Sequence, residues 1–89
     1  MKRSIRLAAE DNVAIAFEEI VPNDWVECAS IALRASSLVP FGHKIALVDI
    51  PKGQPVYRYG VPIGFTLSDV PCGAHVHSHN LSTYFLDHQ

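Results

Sequence analysis

The chain has 89 residues, 48% apolar and 18% charged, a globular and not a disordered composition that allows one small domain, residues 1–89, with a modest core. A formal net charge of −2 and seven scattered Lys and Arg give no basic footprint for nucleic acid. No apolar run approaches the roughly 18–20 residues of a membrane span, and Arg6, Glu10 and Asp11 interrupt any secretory apolar region after Lys2 and Arg3, so a cytoplasmic protein away from the membrane is expected.

Ile5 and Leu7 alternate with polar neighbours, which predicts a half-buried strand over 4–9. Asp11-Asn12 marks a turn. Residues 13–17 read as the returning strand, so the chain opens with a hairpin. Residues 25–30 and 31–35 are two further strand candidates; a short helix over 26–36 is the alternative, because Ala29, Ala32, Leu33 and Ala35 favour helix. Strands are then predicted at 44–48, 56–59, 62–67 and 74–79. Gly60 marks a turn and Gly64 a bulge or a close backbone approach. The fold class is therefore mostly β, with short strands and little helix. Cys28 and Cys72 lack CxxC spacing and read as free thiols.

The chain also echoes itself. L-V-D-I-P-K-G-Q-P-V at 47–56 recurs as L-S-D-V-P-C-G-A-H-V at 67–76, twenty positions on. A weaker copy, F-E-E-I-V-P-N-D-W-V, lies at 17–26, with Asn23 in place of the Gly. Asn is the next-best residue for a left-handed backbone. The echo reads as a turn device: Pro51 at the second turn position, Gly53 at the fourth, and Asp49 bonding backbone N–H groups just ahead of it.

The string G-A-H-V-H-S-H-N at 73–80 carries the chemistry. On a strand, His75, His77 and His79 project from one face and Val76 from the other. Neighbouring histidines on that face lie about 6.5–7 Å apart and can share a metal ion; His75 and His79 would lie about 13 Å apart and could not. One straight strand thus supplies a His pair, and His43, after Gly42, is a candidate third ligand. The competing reading is a solvent-facing strand that is merely His-rich. Ser78 falls on the opposite face, which disfavours a Ser–His pair. Tyr57 and Tyr59 share a face suited to a partner or to cross-strand packing. Trp25 suits a core anchor or an interface hot spot.

D-N-V-A-I-A at 11–16, G-H-K-I-A-L-V-D-I at 42–50, Y-G-V-P-I-G at 59–64 and the histidine string stand in the same order as in the N-terminal domain of altronate dehydratases. The chain resembles that domain over residues 7–80. The resemblance implies a SAF-type β-clip, like those of type III antifreeze proteins and of the C-terminal domain of sialic acid synthases. It also implies a hydro-lyase that removes water from D-altronate, or a similar aldonate or aldarate, to give 2-keto-3-deoxygluconate in the altronate case. A divalent metal, Fe2+ or Mn2+, would assist loss of a hydroxyl next to an acidified C–H. In that family a larger region follows this domain, so a larger dehydratase subunit or domain is the expected partner, with metal bound in the assembled enzyme. His75, His77, His79 and Asn80 are then the candidate catalytic residues, and His77, His79 and His43 the candidate metal ligands. The chain is similar, too, to the small subunit of sulfolactate sulfo-lyase and to the N-terminal domain of galactarate dehydratases. Two other uses stay open. One is a non-catalytic binding or assembly module that docks through Trp25 and the apolar segment 25–38. The other is a homo-oligomer whose symmetric copies pool their His pairs around metal.

Overall fold

The computed structural model describes residues 1–83, so the last six residues of the expected domain lie outside the described residues. Among the described residues there are nine strands and no helix, as the mostly-β reading anticipates. A six-stranded sheet runs β4 (Ile31–Arg34), β3 (Trp25–Cys28), β1 (Lys2–Ile5), β2 (Val13–Ala16), β5 (Lys44–Ala46), β8 (His75–Val76). A three-stranded sheet runs β6 (Pro55–Arg58), β7 (Val61–Thr66), β9 (Leu81–Thr83).

The opening hairpin is present, with Ser4 opposite Ala16 and Ile5 opposite Ile15. Its first strand sits earlier than expected because Asp11 captures the chain after Ile5. The Asp11 carboxylate accepts N–H groups from Ala8 at 3.0 Å, Tyr59 at 2.8 Å and Gly60 at 2.8 Å. Residues 25–34 form a β-hairpin, not a helix, turning at Ala29 with a φ of 53°. Alternation drives Val26 and Cys28 into the core, and that burial outweighs the helix preference of the alanines. Gly64 is a close approach: a Cβ there would strike the Ser82 carbonyl. Strand β9, which pairs with β7, has no counterpart among the predicted strands.

Two apolar clusters flank the central strands. Ala14, Ala16 and Ile45 point into one, with Ile20, Val26, Leu33 and Val39; Val13 and Ala46 point into the other, with Ile50, Val56, Val70 and Val76. Burial on both faces explains why β2 and β5 read as near-continuous apolar runs. Cys28 and Cys72 are free thiols, Cys28 buried.

The sequence echo builds two clasps, each closed by a reciprocal pair of backbone bonds. Ile50 and Val70 exchange N–H to O bonds of 2.7 and 2.8 Å, and Ile20 and Val39 exchange bonds of 2.9 and 2.8 Å. Val39 reveals a fourth copy, V-P-F-G at 39–42, which lacks the acidic residue and went unread in the sequence. After each bridge the backbone turns left-handed, at Asn23 (75°), Gly42 (81°), Gly53 (82°) and Gly73 (87°). The turn positions differ from expectation. Gln54 N donates to Pro51 O, so Pro51 stands first and Gly53 third, where a positive φ is needed. Nor does Asp49 cap its own turn. It accepts from Cys72 N at 2.8 Å across the clasp, and Asp69 accepts from Lys52 N at 2.9 Å in return.

Candidate functional site

The histidines meet where two of these turns deliver their strands side by side. The turn at Gly42 leads into β5, and the turn at Gly73 leads into β8. Ile45 pairs with His75 and Lys44 with Val76, so the ladder continued one step sets His43 opposite His77. Ile45, His75, His43 and His77 thus share one face, while Val76 enters the core on the other.

Strand β8 stops at Val76, earlier than the predicted end at 79, because Asn80 closes a turn. Asn80 N donates to His77 O at 3.0 Å; its Oδ1 accepts from His77 N at 2.9 Å and its Nδ2 donates to His75 O at 2.8 Å. That turn corrects the straight-strand geometry: His79 swings back until its ring centroid lies 5.2 Å from that of His75. Ser37 Oγ anchors the other side by accepting His75 N at 2.9 Å.

Four imidazoles therefore pack together. The rings of His43 and His77 stack with centroids 4.2 Å apart, those of His43 and His75 at 5.1 Å, and those of His75 and His77 at 5.4 Å. His43 Nδ1 lies 2.9 Å from His75 Nε2, a hydrogen bond in which one ring is the protonated donor and the other the acceptor. Burial first, then the neighbouring His43, His79, His77 and Lys44, hold His75 down to about 4. Burial, then His43, Lys44 and His79, push His77 down as well. Two of these rings are consequently neutral near pH 7, the form that ligates a metal or accepts a proton. Lys44 is lowered by burial and by Arg58.

One ligand nitrogen each from His43, His75 and His77 fall within 4.8 Å of one another. Three imidazoles at that spacing fit a divalent metal of the kind the resemblance implies. The structure brings His75 into this trio, where the sequence placed His79; His79 stands beside His75 as a fourth ring. The side chain of Asn80 is engaged in holding the turn. Ser37 and Lys44 belong to the surroundings; Ser37 carries no local pattern, and Lys44 stands only within the G-H-K-I-A-L-V-D-I string. Trp25 is no core anchor: it is 49% exposed, with the Arg34 guanidinium 4.9 Å over its ring.

The altronate/galactarate dehydratase SAF domain family model matches residues 2–84. Altronate dehydratase of Escherichia coli (strain K12) is 41% identical over 93% of this chain and 17% of its own length. That of Bacillus subtilis (strain 168) is 33% identical over the whole chain and 18% of its own length. The (2R)-sulfolactate sulfo-lyase subunit alpha of Chromohalobacter salexigens is 30% identical over 84% of this chain and 87% of its own length. The chain thus spans under a fifth of the altronate dehydratases it matches.

Proposed function

The chain belongs to the altronate/galactarate dehydratase SAF domain family, and from that membership we propose that it is the accessory part of a cytoplasmic sugar-acid dehydratase, active only with a larger catalytic subunit or region. The observation that carries the reading is the convergence of His43, His75, His77 and His79 at the β5–β8 edge. Altronate, galactarate and sulfolactate share one chemical feature, a carboxylate with a hydroxyl on the adjacent carbon. Elimination from such an acid removes the proton from that carbon and expels the substituent on the next one, and the resulting enol becomes a 2-oxo acid. A bound Fe2+ or Mn2+ would supply charge stabilisation for the developing enolate. The chain's own contribution is a set of pre-positioned imidazoles, of which His79, outside the trio, is the ring available to move the proton.

Sulfo-lyase chemistry is the second reading, favoured by the match over 87% of a separately encoded subunit alpha. It uses the same elimination with a different leaving group. A pull-down of the tagged chain from its native cell extract, with bound proteins identified by mass spectrometry, tests the proposal. A large dehydratase-like or sulfo-lyase-like polypeptide is the expected catch, and its identity separates the two readings. Recovery of the chain alone overturns the accessory role.

A further inference from the structure

We infer that His43, His75 and His77 form a metal site complete within this chain, able to hold one divalent ion without a larger partner, and that the ion's open positions take the hydroxyl and carboxylate oxygens of a 2-hydroxy acid. The ligand set stands on geometry alone; the choice of 2-hydroxy acid rests on the proposed function.

Two nitrogens bound to one ion at about 2.1 Å lie about 3.0–3.4 Å apart when they occupy adjacent positions. His43 Nδ1 and His75 Nε2 are already 2.9 Å apart, and the third nitrogen, from His77, falls within the same 4.8 Å group. The backbone beneath them is held: Ser37 Oγ fixes His75, and both polar atoms of the Asn80 side chain fix the turn that carries His77. Such support is what separates a metal site from histidines that happen to be neighbours.

The donor set decides what else binds. No carboxylate or thiolate belongs to the trio, so an ion held there keeps its full double positive charge. Lys44 adds to the positive potential felt by His75 and His77. His77 is exposed, and His43 and His75 are half-buried, so the ion's outer positions face the surface. Three imidazoles leave one to three positions vacant, depending on the metal. A 2-hydroxy carboxylate is an anion that fills two of them through a five-membered chelate.

His79 separates this ligand set from the alternatives. Its ring is 5.2 Å from that of His75 yet it contributes no atom to the trio, so its removal spares metal binding. Cobalt(II) titration of the metal-free chain, followed by its visible absorption and by calorimetry, tests the inference without any activity assay. One equivalent is expected to bind. His75→Ala and His77→Ala weaken binding by at least about 10-fold, with His75→Gln as a variant that retains bulk and hydrogen bonding should His75→Ala unfold. His79→Ala stays within about threefold, well short of the loss from removing a ligand. Lactate, the simplest probe, shifts the cobalt bands and propionate leaves them in place. Failure to bind cobalt, or a His79→Ala loss as large as that of His75→Ala, overturns the ligand set. Binding with no response to lactate overturns the substrate class. If cobalt binds as described but the pull-down returns no partner, the accessory role falls and the metal site stands.

Discussion

His75 is the residue on which the site's electrostatics converge. Its folded value of about 4 lies below the usual 6.5 of a free histidine, through burial and then the nearby His43, His79, His77 and Lys44. Between those values the unfolded chain binds more protons than the folded one, so stability present above pH 6.5 is lost as pH falls towards 4. Thermal melts across that window are expected to show a falling midpoint, with His75→Gln flattening the slope. A slope unchanged in the variant would place the pH sensitivity elsewhere. His77 carries a second prediction. It is exposed and donates only a backbone N–H to the turn, so His77→Ala leaves the melting midpoint of the chain nearly unchanged. In the assembled enzyme the same change removes one of the three proposed metal ligands and is expected to lower turnover by at least about 10-fold. Unchanged turnover would reduce the histidines to bystanders. The importance of these residues was legible in the string H-V-H-S-H-N. Their arrangement was not, because period-two alternation describes a straight strand and Asn80 bends this one.

At the scale of the elements, the left-handed turns are what set the β5 and β8 strands side by side. Gly53 and Gly73 occupy equivalent turns, with φ of 82° and 87°, but their surroundings differ. A Cβ at Gly53 meets open space, whereas one at Gly73 collides with the Arg34 carbonyl and crowds Ser36 N. Gly53→Ala is expected to cost about 1–2 kcal/mol, the left-handed backbone penalty alone. Gly73→Ala should cost clearly more, and because Gly73 feeds directly into His75 it should also weaken cobalt binding. Denaturant titration of the two variants compares the costs; equal losses would show that the close approach yields freely. The D-I/V-P-x-G echo announced the turns at Gly53 and Gly73 but not the one at Gly42, whose copy lacks the Asp, and Asn23 fulfils its expected left-handed role. That Asp49 and Asp69 cap each other's turns was hidden, since a local motif cannot say which distant N–H it will meet.

For the whole molecule, the question is how the site is covered. Phe41, 70% exposed, lies two residues before His43 on the turn that leads into β5. A larger partner that closes over the histidines would bury it. Phe41→Ser is expected to leave the melting midpoint within the scatter of surface changes, about 0.5 kcal/mol. It should nevertheless reduce recovery of the large polypeptide in the pull-down several-fold. Full recovery would direct attention to Trp25, which is 49% exposed and bears Arg34 across its ring.

The sequence by itself determined the strand-rich class, the hairpin at the start, the left-handed turn after each echoed Pro, and the family through its ordered motifs. Those are local properties: period-two alternation, Pro and Gly backbone limits, and residue identity read in order. Only the tertiary structure decided that 25–34 is a hairpin, that β8 ends after two residues, and that nitrogens of His43, His75 and His77 come within 4.8 Å of one another. Each of those outcomes depends on partners far along the chain. Core burial of Val26 and Cys28 overrides the alanine preference, the turn at Asn80 interrupts the strand, and the β5–β8 register carries His43 across 32 positions to meet His75.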